Sequence, residues 1–140
     1  MLEIFTLTSY VLAAVVISIS DVKYRIIRNR DLTIFLIFGF ALNVPDYSFK
    51  NLGTLLIVSG ICIALHLAFK GRIGAGDLKL FWVMSFWAIS FISWLEGLTL
   101  AWILGGVFAL LYLALNKRNM RRSFSIPFAP VIFLGFLAAI

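Results

Sequence analysis

Two of the six acidic residues in this sequence stand where an acid is out of place. Asp21 closes the first apolar run, in VISISDVKYRIIRN, and Asp77 opens a later one, in GRIGAGDLKL. Two carboxylates brought together at the edge of an apolar phase can share a proton, and such a pair can activate water. Gly74 and Gly76 suit that chemistry. Lacking Cβ atoms, they let the backbone turn sharply and let a substrate chain approach closely.

The other acids have simpler readings. Glu3, Asp46 and Glu96 read as solvated charges near the chain start or in short loops, and Asp31 as a cap of the second helix. Asp77 also has the position of an ordinary helix N-cap, and Asp21 could simply pair with Lys23 or Arg25. GRIGAGD is not a phosphate loop, because no Gly-Lys-Ser/Thr follows and the G-x-G-x-x-G spacing is missing. His66, deep in an apolar run, reads as a neutral histidine bonded to a neighbouring helix, with no co-ligands for a metal. The lone Cys62 forms no internal disulfide and no Cys-x-x-Cys pair. No metal or cofactor is expected.

These residues must be positioned by apolar elements. The chain has 140 residues, 63% hydrophobic and 13% charged, with mean hydropathy +1.08. That leaves too little polar surface for a water-soluble domain. Six apolar segments run roughly over 4–20, 32–44, 52–69, 80–95, 98–115 and 123–140. The expectation is an all-α integral membrane protein: one domain over residues 1–140 with six transmembrane helices. The second segment is short and spans only if its helix starts near Asn29 or the bilayer thins. The Gly105-Gly106 pair predicts close helix packing. The four tryptophans read as core or interface anchors.

Charge sets the orientation. Lys23, Arg25, Arg28 and Arg30 fall in the first loop, Lys70, Arg72 and Lys79 in the third, and Lys117, Arg118, Arg121 and Arg122 in the fifth. Only Lys50 lies in an even loop. Clustering between apolar runs argues for the lipid bilayer as partner rather than nucleic acid. The positive-inside rule places the odd loops in the cytoplasm and both termini outside. Glu3 in place of a basic n-region makes the first segment a retained helix, not a signal peptide.

In order, these marks resemble the type IV prepilin peptidases, which are GxGD membrane aspartic proteases. Gly74-Ala75-Gly76-Asp77 with Lys79 matches the family's Gly-x-Gly-Asp-x-Lys signature. Asp21 falls at its first catalytic aspartate, Asn29 follows in the basic loop, and Pro127 and Pro130 in SIPFAP match its late proline-rich signature. Arg28 stands where the family usually has proline, which bears on the local turn and not on the chemistry. Long members carry an N-terminal portion with paired Cys-x-x-Cys and an N-methyltransferase activity. This chain shows neither and looks like a short, peptidase-only member such as those serving Flp/Tad-type pili.

The resemblance implies a multi-pass protein of the cell inner membrane. It implies that Asp21 and Asp77 hold the water that cuts a prepilin between its basic leader and its apolar helix, at the cytoplasmic face. Gly74, Gly76, Lys79 and Asn29 would shape the site. Helix dipoles suggest Asp77, at a helix start, as the ionised base and Asp21, at a helix end, as the protonated acid. Two alternatives stand. Another GxGD intramembrane protease would need a Tyr-Asp setting and a Pro-Ala-Leu motif, which are absent. A small transporter or assembly subunit would give no reason for paired acids.

Overall fold

The computed structural model describes residues 2–43, 49–69, 73–115, 127–137 and 140. They form six helices: α1 (Leu2–Tyr24), α2 (Asn29–Asn43), α3 (Phe49–Ala68), α4 (Ala75–Met84), α5 (Phe91–Leu115) and α6 (Ala129–Phe136). No strand occurs among the described residues. Asp46, Lys70, Arg72, Lys117, Arg118, Arg121, Arg122 and the expected start of the last segment at 123 lie outside the described residues, as do the side chains of Glu3 and Lys50.

The count of six agrees with the apolar segments, but one boundary moves. The fourth and fifth segments were expected to part at Glu96-Gly97. Instead the chain breaks at Ser85–Ser90, and Glu96 sits exposed on α5. Two serines make the break. The Ser85 hydroxyl donates to the Trp82 carbonyl at 2.7 Å, and the backbone tightens into i→i−3 bonds from Ser85, Phe86 and Trp87. Ser90 then N-caps α5, its Oγ accepting the Ser93 N–H at 3.1 Å. The break itself is apolar, and Phe86 and Trp87 are buried.

Helices α1 and α5, over Ile4–Tyr24 and Phe91–Leu115, are long and apolar enough to cross a membrane. Gly53–Ala68 of α3 is apolar but shorter. Helix α2 does start at Asn29. The Arg28 carbonyl accepts the Asp31 and Leu32 N–H groups, and its guanidinium lies over the Tyr24 ring, so no proline is needed to begin the helix. Asp31 sits in the first turn and caps nothing. It is ion-paired with Arg30 at 3.4 Å.

The core gathers around α4, five of whose ten residues are buried: Leu78, Leu80, Phe81, Val83 and Met84. It touches α2, α3 and α6. Helix α6 runs along α5, where Trp94, Gly97, Ala101 and Gly105 form its buried stripe. Small residues at this spacing allow close backbone approach. Of the expected glycine pair only Gly105 serves this packing; a Cβ on Gly106 would meet nothing within 4 Å. Tyr10 ties α1 to α6 through a buried 2.6 Å hydrogen bond to the Phe133 carbonyl. Trp87 stacks on Phe35 and donates to its carbonyl at 3.2 Å, and Trp94 donates to the Phe81 carbonyl at 2.9 Å. Those two tryptophans are core, Trp82 is half-buried on Ser59, and Trp102 is exposed.

The envelope is apolar. Ile4, Leu56, Ile89 and Leu115 are 72%, 74%, 80% and 83% exposed, a surface that hydrocarbon tolerates and water does not. His66 is exposed in the last turn of α3, with no hydrogen-bond partner among the described residues. The bond expected to a neighbouring helix is absent because its side chain points off the bundle.

Candidate active site

Asp21 lies one turn before the end of α1 and is buried. The chain leaves α1 by a bend. The Arg25 N–H donates to the Asp21 carbonyl at 2.8 Å, Arg25 adopts φ 56°, and Ser20 Oγ donates to the Ile26 carbonyl at 3.1 Å. A non-glycine residue with positive φ is uncommon and needs such anchoring. The bend delivers Ile27 to the start of α4.

There the glycine signature acts by bulk rather than by turning. Gly74, the N-cap of α4, has φ −58° and ψ 132°, a conformation open to any residue. The sharp turn expected from its freedom is not used. What matters is space: a Cβ on Gly74 would stand 2.8 Å from Asp77 Oδ2, and one on Gly76 would stand 3.1 Å from Ile27 Cβ. Asp77 is therefore not the N-cap. It sits three residues past the N-cap Gly74, with its carboxylate folded back over that glycine. Lys79 donates through Nζ to Asn29 Oδ1 at 3.1 Å, fastening α4 to the first residue of α2. The bend from α1 and the starts of α2 and α4 are thus drawn to one place.

The two aspartates feel each other. Burial first, and the Asp21 charge second, push the Asp77 carboxyl from its ordinary 3.8 up to about 6. Asp21 has a partner that sequence reasoning missed. Its Oδ2 accepts the backbone N–H of Ala129 at 2.9 Å, in a buried setting. Ala129 opens α6, Pro130 has no N–H, and the Val131 and Ile132 amides already donate to the Phe128 carbonyl. Ala129 therefore offers the unpaired donor of that first turn, and Asp21 takes it. A backbone donor leaves no mark in side-chain patterns; the prolines on either side were the signal.

Among the described residues no three His, Cys, Asp or Glu side chains converge as a metal site would need. An apolar cavity of about 530 Å³ lies between α1 and α2, lined by Phe5, Leu12, Val16 and Phe38 together with Arg30 and Asp31. Its lining contains neither catalytic candidate.

In this all-helical bundle the buried Asp21 and the half-buried Asp77 interact electrostatically, and Asp77 stands in a Gly-x-Gly-Asp sequence at the start of α4. The chain belongs to the type IV leader peptidase family, whose model matches residues 8–114 and so includes both Asp21 and Asp77. Helix α6, with its donor to Asp21, lies beyond the matched stretch. No curated protein and no solved structure matches the chain.

Proposed function

We propose that the protein is a membrane aspartic endopeptidase that removes the basic leader from type IV or Flp-type prepilins, using water activated between Asp21 and Asp77. The observation that carries this reading is the juxtaposition of those carboxylates, 56 positions apart in sequence, with the Asp21 charge acting on Asp77. The family supplies the substrate class. Gly74, Gly76, Lys79 and Asn29 shape the site, as the contacts above support.

The roles run opposite to the helix-dipole expectation. Asp21 ends one helix but also lies at the start of another, α6, where its Oδ2 accepts the Ala129 N–H, and in this reading it serves as the base. Asp77, pushed to about 6, holds the shared proton. Asp21 takes a proton from water as its oxygen attacks the scissile carbonyl carbon, while Asp77 gives its proton to the carbonyl oxygen. The resulting gem-diol collapses as the C–N bond breaks. The amine leaves with the proton from Asp21, and a diol hydroxyl returns one to Asp77. The chain spans the inner membrane six times with odd loops in the cytoplasm, which places both acids on the side of the leader.

Incubation of the purified protein with a prepilin, read by the mass of the products, tests this. The wild type is expected to cut at the leader–helix junction. Asp21→Asn and Asp77→Asn should each abolish cleavage, the double change should add little, and Asp31→Asn and Asp46→Asn should stay active. Full activity in a folded Asp77→Asn protein overturns the proposal.

A further inference from the structure

The hydrogen bond between Asp21 and Ala129 needs the first turn of α6 to be held at a fixed depth, and one contact can do that. Phe128, the N-cap of α6, is fixed twice. Its carbonyl accepts the Val131 and Ile132 amides, both at 3.1 Å, and its ring lies in the notch left by Gly105 on α5. The contact is so close that any Cβ at Gly105 would collide with the ring. The ring also meets Phe81 of α4 edge-on, with centroids 6.4 Å apart. Gly106, the next residue, faces open space. Only one glycine of the pair is therefore required by packing, and it lies opposite the residue that precedes the Asp21 donor.

We infer that Gly105 and Phe128 are positioning residues for catalysis: the ring in the notch sets the Ala129 N–H against Asp21 and so keeps Asp21 as the ionised member of the pair. This rests on the proposed roles above. The surrounding charges leave that task to the amide. Helix α6 carries no charged residue. On α4, the only acid is Asp77, itself raised in part by the Asp21 charge, and Lys79 is engaged with Asn29. At the end of α1 and in the bend, Lys23 and Arg28 lie over the Tyr24 ring, and Arg25 is exposed.

Gly105→Ala pushes the ring outward and Phe128→Ala removes it. Both should loosen the Ala129 donor, while Gly106→Ala should not. In prepilin cleavage, the acid limb of kcat/KM is expected to move up by about one pH unit in the first two variants, the worth of one charge-assisted hydrogen bond. It should stay fixed in Gly106→Ala. A purely structural role would lower the rate without moving that limb. A second readout needs no substrate. In an Asp77→Asn background at pH 6, infrared spectra of carboxyl-labelled aspartate should show a protonated carboxyl only when Gly105→Ala or Phe128→Ala is added. If Gly105→Ala does not fold, Phe128→Ala, which demands no space, decides the matter. An unmoved acid limb and no protonated carboxyl in a folded variant overturn the inference while leaving the peptidase intact. Failure of the wild type to cut any prepilin removes the peptidase reading, and the infrared result still decides whether the amide holds Asp21 ionised.

Discussion

Lys79 Nζ reaches Asn29 Oδ1 at 3.1 Å, joining two residues fifty positions apart, one opening α2 and the other in the first half of α4. The partner is a neutral amide rather than either candidate carboxylate. The bond is exposed and worth about 1 kcal/mol at most. Asn29→Ala is therefore expected to lower cleavage less than tenfold with little change in thermal stability. Total loss of cleavage in Asn29→Ala would give the amide a direct part in the chemistry.

The two glycines of the signature should fail in different ways. A methyl at Gly74 meets only the far end of the Asp77 side chain, which can swing aside. Gly74→Ala should keep its melting temperature yet lose more than tenfold in kcat. At Gly76 the obstacle is Ile27 Cβ, close to the backbone, so Gly76→Ala should lose activity and about 1–3 kcal/mol of stability together. Adding Ile27→Ala should restore part of both. Thermal unfolding beside single-turnover cleavage separates the two cases.

Asp77 also gives stability a definite pH sign. Its folded value, about 6, lies above the ordinary 3.8, so the folded protein holds the proton more tightly. Its stabilising contribution is full below about pH 4 and fades as pH rises to about 6, then stays flat. Asp77→Asn should lack that decline and be the more stable protein at pH 7. Unfolding of both proteins across pH 4–7 checks this, and parallel curves would refute it. Under the roles proposed, cleavage itself should fall as pH rises past Asp77's value.

Orientation is open to labelling. With Cys62 replaced by alanine, Lys23→Cys should react with impermeant thiol reagents only from the cytoplasmic side. Labelling from outside would reverse the topology and separate the aspartates from a cytoplasmic leader.

The residues of the candidate site were easier to pick out in the sequence than one of the helix boundaries. Asp21 and Asp77 stood out because an acid at the edge of an apolar run is conspicuous, and Gly76, Lys79 and Asn29 came with them. The α4–α5 boundary did not stand out. Hydropathy sees charge and misses shape, so exposed Glu96 looked like a loop, while Phe86 and Trp87 hid a real break inside an apolar stretch. Gly74 was noticed for its freedom and is needed for its emptiness. The dipole argument considered only the helix that carries each acid, and the roles proposed above rest on a contact outside both. A third helix, arriving from more than a hundred residues away, supplies the donor.

That donor also sets an order of events in biosynthesis. Both carboxylates leave the ribosome well before Ala129, and Asp21 has no N–H from α6 until residues 127–136 have inserted beside α5. A nascent or truncated chain thus carries both acids without the Ala129 contact. Under the roles proposed, proteolytic capacity arrives only with α6.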